Sequence, residues 1–343
     1  MRSVTAPALD VTRAQIIAYR RTVQALDKRL PPGPASLRRA AWAGLQDSMP
    51  RAALLSIHAR VGGTEPSTWE HPSLVQLWGP RFSAYVVAAQ DRAPFSLGRL
   101  PAGGKSLQVA QEMAARLQAF LDGRAMPYGE VGDGLGVHPN RLRYAAPTGT
   151  VLIRWDGAHQ PTIWTAPVPE VDPRVARLEL ARRHVHIFGP TTATAFARWA
   201  GIGPQEGQPA FDALGKALTR VRTPIGDGFV LTSDEPMLRA RVSPITAARL
   251  LPSGDTYYLL HGADRELLVP DPAHRALLWT SRVWPGAVLS GGEIAGTWRR
   301  AEADVTIQPW RRVTRKQRDA LAAEAESLPL PGLQGRIRAH FDG

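Results

Sequence analysis

The sequence has 343 residues, of which 44% are apolar, and it contains no cysteine. This length suggests two or three domains, and the lack of cysteine excludes disulfides, thiolate catalysis and cysteine-bound zinc. The chain is basic, with 42 Lys and Arg against 30 Asp and Glu, and only four of its cations are lysines. A GC-rich genome explains the preference for arginine but not the excess of positive charge. That excess indicates a nucleic-acid partner, because guanidinium groups contact phosphates in pairs of hydrogen bonds.

The sequence shows no membrane signal. Its first twenty residues lack the apolar centre of a signal peptide. No apolar run is long enough to cross a bilayer. We therefore expect a soluble cytoplasmic protein without a membrane partner.

The first hundred residues predict helices followed by a two-stranded hairpin, the order that is typical of a winged helix. The predicted elements are a helix over 10–30 with Asp10 as its cap, a helix over 36–42, a helix over 50–61 with Pro50 in its first turn, and strands over 74–78 and 82–87.

The same order of elements recurs twice. The second round comprises helical segments over 106–121 and 128–144 and a hairpin of residues 151–155 and 161–164 around Asp156-Gly157. The third comprises a helix that begins at Asp172 and ends at Gly189, a helix over 193–201 capped by Thr191 or Thr192, a helix over 211–219 and a hairpin over 221–231. Such a repeat predicts three tandem winged helices.

The sequence pattern changes at about residue 244, where short strand-like segments alternate with Gly, Pro and Asp turns. The segments LLPSGDTYYLL, ELLVPDP, AVLSGGEIAGTWRR and DVTIQPW predict a small β-barrel or sheet. A polar helix is predicted over 314–327, and the last residues are expected to pack loosely. The prediction is an α+β chain with modules at 1–100, 101–170, 171–243, 244–313 and 314–343.

A winged helix places one helix near the DNA groove and its hairpin against the backbone. Arginines on these elements are therefore candidate DNA contacts, and most of them would bind phosphate without reading sequence. The candidates are Arg38, Arg39, Arg81, Arg141, Arg143, Arg154, Arg198, Arg220 and Arg222.

The polar triplet Gln46-Asp47-Ser48 lies between two apolar segments and has two interpretations. Asp47 or Ser48 could cap the following helix by accepting a backbone hydrogen bond, for about 1 kcal/mol. Alternatively, a carboxamide, a carboxylate and a hydroxyl could hold one water at the mouth of that helix. Spacing alone favours the cap.

Other chemistry has little support. His184 and His186 would face different sides of a predicted helix, so we expect no metal. No GxSxG motif is present. The GGKS segment at 103–106 lacks the first glycine of a phosphate-binding loop, because Arg99 stands at that position.

Four segments carry a resemblance that runs almost end to end: GLQDSMPRAALLSIHARV, RLELARRHVHIFGPTTATAFARWAG, LLPSGDTYYLL and GGEIAGTWRR. The chain resembles the winged-helix DNA glycosylases of the AlkZ/YcaQ type. The resemblance implies three tandem winged-helix motifs and a C-terminal β-barrel that form a C-shaped channel around DNA. It also implies excision of N-alkylated purines, including bulky adducts and, in some members, interstrand crosslinks, without a metal or organic cofactor.

The resemblance places the catalytic motif of that family, Gln-apolar-Gln/Asp, on Gln46-Asp47-Ser48. Gln46 matches the motif, whereas Asp47 is not apolar and Ser48 is neither Gln nor Asp. Two hypotheses remain. One is a monomeric DNA glycosylase acting on damaged duplex DNA of the nucleoid, in which Gln46 orients the water and Asp47 or Ser48 supports it. The other is a non-catalytic tandem winged-helix DNA-binding protein, such as a transcriptional regulator.

Overall fold

A computed structural model describes residues 9–49, 51–157, 159–243, 245–333 and 335–342. Pro50 and Pro244, where the sequence places the start of a helix and of the C-terminal module, lie outside these residues. The described residues form thirteen α-helices and fourteen strands, in three sheets, as the α+β prediction requires. None of these helices is both long and apolar enough to span a bilayer.

The N-terminal region contains four helices and four strands. They are β1 (Leu9–Asp10), α1 (Arg13–Val23), α2 (Pro34–Ala40), β2 (Leu45–Gln46), α3 (Ala52–Arg60), β3 (Leu74–Trp78), β4 (Ala84–Ala88) and α4 (Arg92–Phe95). The prediction that Asp10 caps the first helix is wrong, because Thr12 and Gln15 form a reciprocal capping box there. Helix α1 ends at Val23 rather than at residue 30, and Ala25 adopts a left-handed φ of 54°.

One six-stranded sheet joins this region to the next. The following elements are α5 (Gly104–Leu121), β5 (Met126–Pro127), α6 (Tyr128–Gly134), β6 (Val151–Arg154) and β7 (Thr162–Thr165). The sheet order is β2-β4-β3-β6-β7-β5. The helix predicted over 128–144 is instead α6 followed by a 3₁₀ segment, Pro139–Thr148. Gly136 ends α6 with a left-handed φ of 64°, and the Val137 N–H turns back to donate to the Gly132 carbonyl.

The third region agrees with the prediction at its start and departs from it later. Its elements are α7 (Pro173–Phe188), α8 (Ala193–Ala200), α9 (Pro204–Leu214), β8 (Leu218–Thr223), β9 (Gly226–Leu231) and α10 (Glu235–Arg239). Asp172 caps α7, and Thr192 caps α8. The helix predicted over 211–219 is instead α9, which begins earlier and ends at Leu214, because residues 218–223 form a strand with alternating β-branched side chains. Strand β1 pairs in parallel with β8.

The C-terminal region is an open sheet with helices on it. Its elements are β10 (Ala248–Leu251), α11 (Ala263–Leu268), α12 (Pro272–Leu278), β11 (Gly286–Ser290), β12 (Glu293–Ala301), β13 (Asp304–Pro309), α13 (Arg315–Glu326) and β14 (Arg338–Phe341). The strand order is β10-β11-β12-β13-β14, so the described strands do not close into the predicted barrel. The strand predicted at ELLVPDP is also wrong, because Asp271 caps α12 there. The last residues form β14, which pairs with β13 instead of packing loosely.

A buried ion pair ties α3 to the loop after β10. Arg60 donates two hydrogen bonds, of 2.7 and 2.8 Å, to the Asp255 carboxylate. Ser56 donates a third, of 2.6 Å, and both charged side chains are at most 1% exposed. Because each charge loses its hydration, the pair is stable only while both partners are present.

We predict that Asp255→Ala lowers the free energy of unfolding by about 3–5 kcal/mol, because it leaves the Arg60 charge buried without a partner. Urea unfolding followed by circular dichroism measures this loss. Asp304→Ala is the matched control, since Asp304 pairs with Arg338 at the surface and water screens that pair. Equal unfolding midpoints for the two variants would contradict the prediction.

Candidate functional site

The triplet Gln46-Asp47-Ser48 leaves the edge of the six-stranded sheet with its side chains on alternating sides. Gln46 pairs with Tyr85 of β4, and the Asp47 N–H donates to the Ala84 carbonyl at 2.8 Å. Gln46 is half-buried and Ser48 is exposed, whereas Asp47 is only 2% exposed. Gln46 Nε2 donates to Ser48 Oγ at 3.2 Å. The amide and the hydroxyl therefore share one accessible face, and the carboxylate lies behind it.

The Asp47 carboxylate is held by hydrogen bonds inside the protein. Its Oδ1 accepts from the Ala53 N–H in the first turn of α3 at 2.9 Å, and its Oδ2 accepts from Gln76 Nε2 at 2.7 Å. Gln76 Oε1 in turn accepts from the Trp155 N–H at 2.6 Å. Burial raises the pKa of the Asp47 carboxyl to about 6, although these hydrogen bonds oppose the shift. Asp47 thus makes the helix-capping bond and connects β2, β3 and the β6–β7 hairpin.

Arg81 lies against the exposed face of the triplet. Its Nη2 donates to Gln46 Oε1 at 3.4 Å, and its Nη1 lies 2.7 Å from His261 Nε2. A guanidinium can only donate, so His261 Nε2 accepts and the neutral ring carries its proton on Nδ1. Burial and the charges of Arg81 and Arg265 lower the pKa of His261 to about 4, which keeps the ring neutral at higher pH.

The backbone of Arg81 is strained and closely packed. Arg81 has a left-handed φ of 55°, which is uncommon for a residue other than glycine and occurs at functional sites. Gly201, at the end of α8, lies so close that a Cβ atom there would be 2.8 Å from the Arg81 nitrogen. The exposed Arg198 of α8 also lowers the pKa of His261. Cations from three regions of the chain therefore lie around His261, and Arg81 links this group to Gln46.

The loop after β10 forms another wall of the site. Gly254 has a φ of 75°, and a Cβ atom there would lie 3.5 Å from Gln46 Nε2. Thr256 Oγ1 donates to the Gly44 carbonyl at 3.1 Å, which holds this loop against the residue before β2. A cavity of about 560 Å³ opens beside the triplet, and Met49, Arg51 and Trp284 are among its lining residues. The cavity is large enough for a nucleobase, and its lining begins at Met49, the residue that follows Ser48.

The other candidate arginines are spread over the surface and are not gathered at this site. Four form ion pairs within the protein: Arg38 with Asp91, Arg154 with Glu70, Arg220 with Asp227 and Arg222 with Asp10. Arg143 lies 6.0 Å from the ring centroid of Trp78, and Arg39 and Arg141 are exposed. The pairs of Arg154, Arg220 and Arg222 are exposed and contribute little stability, so a phosphate can replace the carboxylate there. Asp91 is instead buried and also pairs with Arg183.

Sequence reasoning missed His261 and the part that Gly254 plays. Gly254 falls within the quoted segment LLPSGDTYYLL, and His261 follows that segment directly. Their only sequence signal was this resemblance, because both residues are about 200 positions from Gln46 and no local pattern connects them.

An amide and a hydroxyl on one accessible face, with Arg81 against it, are suited to a phosphate-bearing substrate. The sequence profile described as "DNA glycosylase AlkZ-like" matches residues 39–329. The chain therefore belongs to the AlkZ-like DNA glycosylase family, which implies a DNA substrate. Among solved structures it is similar to the Streptomyces sahachiroi DNA glycosylase AlkZ, with a TM-score of 0.80 and 20% identity over 97% of this chain and 100% of that one. At this identity the likeness shows the fold, and no curated protein matches the chain.

We predict that the stability difference between the wild type and Asp47→Asn depends on pH. The pKa of Asp47 rises from about 3.9 in the unfolded chain to about 6 in the folded protein. The folded state therefore binds the proton more readily than the unfolded chain. The resulting gain in the free energy of unfolding is present at pH 4 and is lost as the pH rises through 6. The wild type should lose about 1–3 kcal/mol relative to the variant between pH 4 and pH 7.

Urea unfolding of both proteins at pH 4, 5, 6 and 7 measures this difference. Asp304→Asn is a control of opposite sign, because the hydrogen bond from Arg338 lowers the pKa of the Asp304 carboxyl. A difference between wild type and Asp47→Asn that stays constant over this pH range would show that Asp47 does not titrate in this way.

Proposed function

We propose that this protein is a monofunctional DNA glycosylase that hydrolyses the N-glycosidic bond of purines alkylated at N7 or N3. Membership of the AlkZ-like family supports this chemistry. The observation that carries the proposal is the accessible face shared by Gln46 and Ser48, whose amide and hydroxyl are 3.2 Å apart. Hydrolysis at a sugar carbon needs such a polar face to orient one water.

Hydrolysis of this N-glycosidic bond requires an oriented water rather than a strong base. Alkylation at N7 or N3 gives the purine a positive charge, so the base leaves without being protonated, through an oxocarbenium-like transition state. Protein dipoles that point an oxygen at the developing charge stabilise that state. Gln46 Oε1 is such an oxygen, and one of its lone pairs remains available for a water beside the bond from Arg81.

Ser48 and Asp47 have separate parts in this proposal. Ser48 Oγ accepts from Gln46 Nε2, which turns the amide so that its oxygen faces the water. Asp47 acts as a positioning residue, because its carboxylate caps α3 and contacts Gln76 on the side away from the accessible face. The catalytic contact with water would therefore be made by Gln46, with Ser48 as its support.

The surroundings of the site suggest the substrate and its binding. The cavity of about 560 Å³ beside Met49 is consistent with bulky adducts and crosslinked purines. We further propose that the three helix–hairpin units act as winged helices around a C-shaped channel for damaged duplex DNA. In this proposal the protein works as a monomer in the cytoplasm, at the nucleoid.

We predict that Gln46→Ala lowers the single-turnover rate of base release at least about 100-fold, because the water loses its orienting oxygen. The substrate is a duplex with a single N7-alkylguanine, and the abasic product is cleaved by alkali and counted on a gel. Ser48→Ala should have a smaller effect, since the Gln46 amide keeps its bond from Arg81.

Gln118→Ala is the matched control, because Gln118 is exposed on α5 and alanine favours the helix. Product formation by Gln46→Ala at the wild-type rate would remove Gln46 from the mechanism. If the wild type releases no base yet binds duplex in a salt-sensitive way, the non-catalytic DNA-binding hypothesis replaces this proposal.

We also predict that Arg81→Lys lowers the rate at saturating enzyme about tenfold, because a small error in positioning the water-orienting group is costly. Lysine keeps the charge but cannot contact Gln46 and His261 with a rigid fork of donors. The half-saturating enzyme concentration should change little, because attraction to phosphate remains.

Single-turnover titrations of wild type, Arg81→Lys and Arg116→Lys separate these two quantities. Arg116 is an exposed residue of α5 and serves as the control. An Arg81→Lys effect confined to the half-saturating concentration would mean that Arg81 binds DNA without positioning Gln46.

A further inference from the structure

A cleft made of adjoining cavities begins near the candidate site and runs along the C-terminal sheet. It consists of three cavities of about 560, 410 and 690 Å³. The first opens beside Met49 and shares Pro285 and Arg299 with the second. The second shares Pro309 and Trp310 with the third. The first cavity lies on the Trp298 side of the sheet, beside Met49, and the second lies on the opposite side with Thr297 and Gln308. The cavities meet at Pro285, just before β11 begins, so the cleft passes around the end of that strand.

Side chains of β12 and β13 point alternately to the two faces of the sheet, and this decides which of them line the middle cavity. Trp298 and Ile307 pack into the core between the sheet and α13. Their neighbours Thr297, Arg299 and Gln308 point to the opposite side and line the middle cavity. The outer face of the sheet is therefore polar and cationic where it lines the middle cavity.

Six exposed arginines line the cleft: Arg299, Arg300, Arg311, Arg312, Arg315 and Arg318. No carboxylate of the described residues forms an ion pair with any of the six. Asp156 and Asp342 also line the cleft, so positive charge outweighs negative charge there. Elsewhere on the same sheet, Arg338 pairs with Asp304.

The first turn of α13 carries positive charges, which are unfavourable at the N-terminus of a helix. Arg315, Lys316 and Arg318 lie at the positive end of the helix dipole, and no acidic residue accompanies them in that turn. Trp310 lies beside these cations and stacks on His274, with ring centroids 4.5 Å apart. Repulsion among the cations would be offset by an anion with several charges bound in the third cavity.

We propose that this cleft holds the sugar–phosphate backbone of the DNA on one flank of the lesion, from Met49 beside the triplet to Arg311 and Arg315. The placement of the lesion rests on the proposed glycosylase function. The affinity of the cleft for a polyanion rests only on its own charges.

The test compares two triple variants with the same change of net charge. One replaces Arg311, Arg312 and Arg315 by glutamine in the cleft. The control replaces Arg182, Arg239 and Arg338, which pair with Glu179, Glu235 and Asp304. Binding of each to a lesion-free duplex is measured by fluorescence anisotropy at several salt concentrations. We expect the cleft variant alone to bind more weakly, with a salt dependence reduced by about one for each lost phosphate contact.

A second arm locates the contact on the DNA. Duplexes with one N7-alkylguanine carry uncharged methylphosphonate linkages on one flank or on the other, and binding is measured with Gln46→Ala to prevent turnover. Methylphosphonate linkages on one of the two flanks should weaken binding by the control variant severalfold. The same linkages should leave binding by the cleft variant unchanged. Equal salt dependence of the two triple variants, or equal effects of both flanks, would overturn the proposal. Neither arm needs turnover. A protein that binds DNA in this way but releases no base would therefore contradict the proposed glycosylase function and leave the proposed DNA contact of the cleft intact.

Discussion

The pairing of β2 with β4 is the constraint on which the candidate site depends. It points Asp47 inward, and it therefore points Gln46 and Ser48 outward together. A shift of one residue in this register would bury the amide and expose the carboxylate. The buried charge is stabilised by the Ala53 N–H and by Gln76. Gln76 is itself held by both polar backbone groups of Trp155. The geometry of the exposed face thus depends on hydrogen bonds that no substrate touches.

Arginine has two kinds of role in this protein. Some guanidinium groups are buried and act as structural donors, as Arg99 does when it contacts the carbonyls of Trp78 and Ala200. Burial lowers the pKa of Arg99 to about 10, yet the group stays protonated at neutral pH. A planar fork of donors can satisfy several carbonyls at once, which lysine cannot do as well. The net charge therefore overstates the charge available to DNA, and the unpaired arginines of the cleft are the more informative part of it.

The sequence predicted several elements that local chemistry decides, although it missed the local caps of α1 and α12. The cap of α7 at Asp172, the strand β3 and the helix α13 after Thr314 all follow from short-range signals. It failed where distant partners decide the structure, because β14 exists only through its pairing with β13. The same limit applied to the site. The triplet and the capping bond of Asp47 could be anticipated from neighbouring residues. The contacts of Arg81 with Gln46 and His261 could not, since they join three distant segments.

The two departures of the triplet from the catalytic motif that the resemblance implies are physically unequal. The second position, apolar in the motif, holds Asp47, whose carboxylate finds its partners inside the protein. That change alters the core and leaves the exposed face as it was. The third position holds Ser48, which brings a short hydroxyl in place of an amide or a carboxylate, so the exposed face loses an acceptor but keeps the bond that orients Gln46. A leaving group that already carries positive charge needs little more than this, whereas a neutral purine would also need an acid that this face does not hold. The variant motif therefore restricts the proposed chemistry to cationic, alkylated bases.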